Sequence, residues 1–184
     1  SADNACVISG ESQGYTIVEI NHPKAEYPAR IMIFVENENE NPVYIKTQSP
    51  IFLLGSKAGT KNIYVNLANS VQNNLSLFTF EVTEGRDCID IISNNNVLSV
   101  TPKKSGTALI KVNHSEARVP LEMRCIVVEE SCPLYIESEE CFFEIKEGQS
   151  ARTVLSVKGE DGSTVKDAGF TYEIENNEIC EVSI

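Results

Sequence analysis

The chain has 184 residues, with 15 Lys+Arg against 27 Asp+Glu and a formal net charge of −12. That length allows one or two ordinary domains, and 41% hydrophobic with 23% charged content is the composition of a folded chain. The acidity argues against nucleic acid and against an anionic membrane surface, both of which demand clustered Lys and Arg. The longest apolar runs are about four or five residues, too short to span a bilayer. No charged-then-apolar leader opens the chain at Ser1, so any export signal is expected to have been removed or never included.

In chain order, the first elements predicted are strands. Thr16, Val18 and Ile20 alternate with Ile17 and Glu19, and Ile31, Ile33 and Val35 alternate again. Ile63, Val65 and Leu67 continue the pattern, followed by Phe78, Phe80 and Val82 and then by Ala108, Ile110 and Val112. Period-2 alternation over four to seven residues marks half-buried strands. Turn signals punctuate them: Gly55-Ser56, Ala58-Gly59, Asn73-Asn74, Glu84-Gly85, Asn94 to Asn96, Lys104 to Gly106 and Glu160 to Gly162. No stretch shows the 3.6-residue spacing of an amphipathic helix. Six or seven short strands in about 90 residues predict an all-β sandwich of two antiparallel sheets, with apolar rows inward and polar rows outward.

The chain also matches itself. A shift of 92 residues lays Gly14 to His22 on Gly106 to His114, with Asn21-His22 on Asn113-His114, Ala25 on Ala117 and Pro28 on Pro120. The same shift lays Phe78 to Val82 on Phe170 to Ile174, and Cys88 on Cys180. Pro42 and Tyr44-Ile45 match Pro133 and Tyr135-Ile136 with a shift of 91. A repeat of about 92 residues is therefore expected. Residues 1–40 read as the back part of one unit, 41–131 as a whole unit and 132–184 as the front part of another. The chain then reads as a window on a longer tandem array, with the middle unit keeping the two partial pieces apart within one chain. The partial pieces would meet between copies, head to tail, by strand complementation.

The segment from Asn94 through Val97, Val100 and Gly106 to Val112 resembles the signature of bacterial immunoglobulin-like group 2 domains. There a polar turn leads to a short apolar pair and then a Lys-x-Gly-Thr-Ala-x-Ile-x-Val strand. Phe78 to Val82 stands in the place of that family's aromatic strand, with Phe80 and Tyr172 where Trp is usual. The resemblance implies an exported surface module of the invasin and intimin type. A weaker likeness, carried by Asp161-Gly162 leading to Phe170 and Tyr172, is to the luminal immunoglobulin-like repeats of nuclear-pore membrane glycoproteins.

Candidate chemistry is sparse. His22 and His114 repeat one position in successive units, each alone beside Asn, so they read as structural rather than catalytic; zinc spacing is absent. Of the six cysteines, Cys6, Cys88, Cys125, Cys132, Cys141 and Cys180, only Cys88 and Cys180 coincide in the repeat. An obligatory disulfide framework is therefore not expected; some cysteines read as small buried hydrophobes, and Cys132 with Cys141 is the best bridge candidate. Acidic groups cluster as Glu36, Glu38 and Glu40, as Glu129 and Glu130, as Glu137, Glu139 and Glu140, and as Asp87 with Asp90. They read as a solvated surface, with calcium at a unit junction as the alternative. Asn74-Leu-Ser76 and Asn113-His-Ser115 are glycosylation sequons, which an Asn-rich chain produces by chance and which matter only for a eukaryotic, luminal source.

The sequence thus predicts no catalytic residue, no resident cofactor and no metal. It predicts a non-enzymatic structural or adhesive repeat in an extracellular, cell-surface or filament protein. The alternatives are a carbohydrate- or protein-binding module, expected to show an aromatic platform, and a luminal or periplasmic array. Phe78, Phe80 and Tyr172 are expected to look inward.

Overall fold

The computed structural model describes residues 4–37, 41–71, 74–129, 134–159, 163–165 and 169–184. It is all-β. In chain order the strands are β1 (Ala5–Gly10), β2 (Gly14–Asn21), β3 (Ala29–Glu36), β4 (Tyr44–Lys46), β5 (Ile51–Gly55) and β6 (Lys61–Tyr64). Then come β7 (Asn66–Ala68), β8 (Thr79–Glu84), β9 (Ile89–Asn94), β10 (Val97–Pro102), β11 (Gly106–Asn113) and β12 (Leu121–Val128). The last are β13 (Tyr135–Ser138), β14 (Phe142–Lys146), β15 (Ser150–Lys158), β16 (Thr164–Val165), β17 (Thr171–Ile174) and β18 (Cys180–Ser183). A single 3-10 turn, Leu75–Leu77, is the only helical element among the described residues. The chain divides into two compact units, Ser1–Asn41 with Cys132–Ile184, and Pro42–Ser131.

The discontinuous unit has two main sheets. One runs β14-β3-β2-β17 and the other β13-β15-β1-β18, with β16 beside β15. Ile31, Ile33, Val35, Val18 and Ile20 of the first sheet share one core with Ile8, Cys6, Leu155 and Val182 of the second. Two sheets closing on a common apolar layer is the arrangement of a β-sandwich. The expectation that the partial pieces stay apart within one chain is overturned here. Strand β1 pairs directly with β15 and β18, β3 with β14, and β2 with β17. The physical reason is burial: either piece alone leaves Ile8, Ile31, Ile33 and Leu155 on a raw face, and each such side chain gains roughly 1.5–3 kcal/mol when covered.

The continuous unit pairs β5-β12-β11-β8 in one sheet, and β6-β10-β9 and β4-β7 form two further sheets. In each unit the four-stranded sheet contains one parallel pair, β5 with β12 and β14 with β3, so the sheets are mixed rather than purely antiparallel. The sequence gives no sign of this, because strand direction leaves no mark on alternation. The run Ile63, Val65, Leu67 is buried as expected, but it forms two strands. Strand β6 pairs with β10, β7 pairs with β4, and Asn96 Nδ2 donates to Val65 O at 3.0 Å in the gap.

The expectation of a polar outward row fails on β3. Met32 and Phe34 alternate with the inward Ile31, Ile33 and Val35, yet both are fully buried. Their cross-strand neighbours on that face are Ile17 and Tyr15, so the second face of this sheet carries an apolar row of its own. Glycine is required at Gly85, where φ is +67° and a Cβ would sit 2.8 Å from Ala108 Cα. The end of β8 can approach β11 closely only without a side chain there.

Candidate functional site

The most organised polar feature is a histidine turn present once in each unit. Strand β11 ends at Asn113, and His114 opens a turn closed by Ala117 N donating to His114 O at 3.1 Å. The backbone N–H of Glu116 donates to His114 Nδ1 at 3.2 Å. Nδ1 therefore carries a lone pair, which places the proton on Nε2, and Nε2 donates to Asn74 O at 2.9 Å. The ring packs on Phe78, with centroids 4.6 Å apart. One side chain thus ties the end of β11 to the loop ahead of β8.

Strand β2 ends in the same way. Ala25 N donates to His22 O at 3.0 Å and Lys24 N to His22 Nδ1 at 3.1 Å. The His22 ring lies 4.8 Å from the Phe170 centroid. His22 Nε2 is buried and has no partner among the described residues. The residue 92 positions on from Asn74 is Lys166, which lies outside the described residues. Each ring accepts a backbone N–H of its own turn at Nδ1 and so acts as a staple for the backbone. Among the described residues no group of three or more His, Cys, Asp or Glu is placed to hold a metal ion.

Cys6, Cys88, Cys125 and Cys180 are free and buried. Burial pushes the Cys125 thiol up to about 12. Burial, then neighbouring Cys180, pushes Cys6 up to about 11, and burial, then Glu11, does the same to Cys180. Cys141 is also pushed up to about 11, by burial first and then by Glu140 and Glu137. Thiols held in the neutral form are poor nucleophiles and poor metal ligands, so these act as small apolar side chains. Cys132, the bridge candidate's other half, lies outside the described residues.

Three of the clustered acidic groups pair with lysines. Asp87 pairs with Lys104 at 3.1 Å, Asp90 with Lys103 at 3.1 Å, and Glu137 with Lys158. The Lys104 hydrogen bond holds the Asp87 carboxyl below the usual carboxylate range. Glu38, Glu40 and Glu130 lie outside the described residues. Glu36 lines an open polar pocket of about 560 Å³ with Asn37, Asn41, Lys146, Glu147 and Gln149. An ammonium stands among these carboxylates, and Glu147 Oε1 already accepts from Gln13 N at 2.8 Å.

Two features have no signal in the sequence beyond residue type. Arg30, inside the apolar run of β3, is buried and paired through Nη2 with Glu175 at 2.6 Å and through Nε with Glu19 at 3.7 Å. On β6 and β9, Tyr64 and Ile92 are 58% and 75% exposed. Phe78 is buried as expected, but Tyr172 is 41% exposed. It sits opposite the buried Ile20 on the inward row, but β17 is an edge strand among the described residues and leaves it uncovered. No protein-family model matches the sequence, and no curated protein sequence is similar to it.

Proposed function

We propose that the chain is a stretch of a tandem array of immunoglobulin-like sandwiches, repeating about every 92 residues. It works without catalysis as a spacer or adhesive stalk in a long exported surface or filament protein. One observation carries this reading: the continuous unit takes its chain in at one end and lets it out at the other. Val43 O accepts from Arg118 N at 2.9 Å, just ahead of β12, and the eight residues of β12 then carry the chain away from that point to Val128. A unit of this kind adds its length to a series, roughly 25 Å over the eight residues of β12 alone.

The repeat itself is supported by strand correspondence. β1, β2 and β3 begin 92 residues before β10, β11 and β12 (97 − 5, 106 − 14, 121 − 29). Gly14 faces Val35 as Gly106 faces Val127. The histidine turns recur at the same places.

The test is length. Residues 42–131 linked in series as two, four and six copies should give a maximum dimension by X-ray scattering that rises linearly with copy number. A dimension that levels off would exclude a stalk. A second reading, a binding module, is favoured by exposed Tyr64 and Ile92 on one sheet face. Saturable binding of residues 42–131 to a glycan array or to matrix proteins, lost in Tyr64→Ala, would support it.

A further inference from the structure

The sequon at Asn74 lies in the loop ahead of β8, where the histidine staple holds it. Asn74 is exposed and caps the 3-10 turn. Its Oδ1 accepts from Ser76 Oγ at 2.8 Å and from Ser76 N at 3.4 Å. Its backbone carbonyl is taken by His114 Nε2. This leaves Nδ2 without a partner among the described residues. The sequon hydroxyl is thus already folded back onto the amide it has to assist, and the amide nitrogen is free to react. Close by in sequence, Val71 is 100% exposed and Leu77 44% exposed, the kind of bare apolar surface that a sugar chain shields.

The second sequon has none of this. Asn113 is half-buried in β11, paired with Thr79, and the residue between it and Ser115 is the buried His114, stacked on Phe78. Extending Asn113 with a bulky polar chain crowds a strand margin that the histidine turn already fixes.

From this geometry we infer that Asn74 is an acceptor for N-linked oligosaccharide and that Asn113 is not. The donor class is an oligosaccharide carried on a lipid pyrophosphate. Nδ2 attacks C1 of the first sugar, and the C1–O bond to phosphate breaks. The lipid pyrophosphate leaves with the electron pair, and one Nδ2 proton passes to a base of the transferase. The inference rests on the exported reading, because such donors face secretory compartments. It also favours the luminal form of that reading.

The test is translation of the full chain, behind a cleavable signal, into microsomes. Protease protection establishes import, and peptide mapping after glycosidase treatment in heavy-oxygen water locates the sugar. We expect one glycan on the protected chain, at Asn74. It should disappear in Asn74→Gln and Ser76→Ala, persist in Ser76→Thr, and be untouched in Asn113→Gln. A protected chain unmodified at Asn74, or a glycan that vanishes with Asn113→Gln, overturns the inference. Recovery of the native protein from a cytoplasmic fraction would sink the exported reading while leaving the acceptor result standing.

Discussion

The two units reach matching strand orders by different routes along the chain. In the continuous unit, residues 42–131 supply every strand. In the discontinuous unit, Val7 pairs with Arg152 across 145 residues of chain (152 − 7), and the same kind of sheet is closed by pieces from both ends of the sequence. The β14-β3-β2-β17 order mirrors β5-β12-β11-β8 regardless. Burial and register decide which strands meet; connectivity decides only what the meeting costs in loop entropy, which grows slowly with length. The difference lies in what each piece can do alone, and that is open to experiment.

The largest expected effect is on fragments. Residues 42–131 should fold cooperatively by themselves, with one urea transition by circular dichroism. Residues 132–184 should remain unfolded until residues 1–41 are supplied, because β1, β2 and β3 carry half of the shared core. A cooperative fold for 132–184 alone would break the comparison. Next come the cores. Ile110 and Ile33 are both fully buried, one in each unit. Each changed to Ala should lose about 2–5 kcal/mol from its own unit's transition and leave the other unit's unmoved.

Alkali should separate the units further. A thiol whose folded pKa is raised contributes stability that is complete below its unfolded value and is lost as pH rises toward the folded value. Here the loss runs from near 9.0 to about 11 for Cys6, Cys180 and Cys141 in the discontinuous unit. For Cys125 in the continuous unit it runs from near 9.0 to about 12. Each thiol should contribute about 1 kcal/mol of loss by pH 10. Denaturant melts between pH 8 and pH 10 should therefore fall more steeply for the discontinuous unit, and Cys6→Ala with Cys180→Ala should flatten that slope.

The histidine turns sharpen the comparison at a smaller scale. His114→Ala loses the bond to Asn74 O and should cost about 1 kcal/mol in the continuous unit's urea transition, leaving the other unit's unmoved. The smallest effect is at the surface: Lys104→Gln should raise the Asp87 carboxyl pKa, measured by carboxyl NMR, with no resolvable change in melting temperature.

Much of this was legible in residue order. Alternation at Thr16 to Ile20 and Ala108 to Val112 marked β2 and β11, and Lys104 to Gly106 marked the turn ahead of β11. Parallel pairing of β5 and β14 was not legible, because a strand alternates identically in either direction. Nor was the break at Val65, since both strands it separates keep their apolar residues inward. Met32 and Phe34 were readable as apolar but not as a second buried row, and Tyr172 was readable as strand but not as edge. The candidate site was half visible: the duplicated His after Asn stood out, whereas its partners Phe78 and Asn74 lie 36 and 40 residues away (114 − 78, 114 − 74).

The sequence by itself determined that this protein is built of short strands separated by turns, because side-chain alternation and turn residues are local properties of the backbone. Only the tertiary structure decided which strands are neighbours, which of them run parallel, and that the two ends of the chain complete one sandwich. Those choices depend on covering apolar faces contributed from distant parts of the chain, and no local pattern of residues encodes which distant face will serve as the cover.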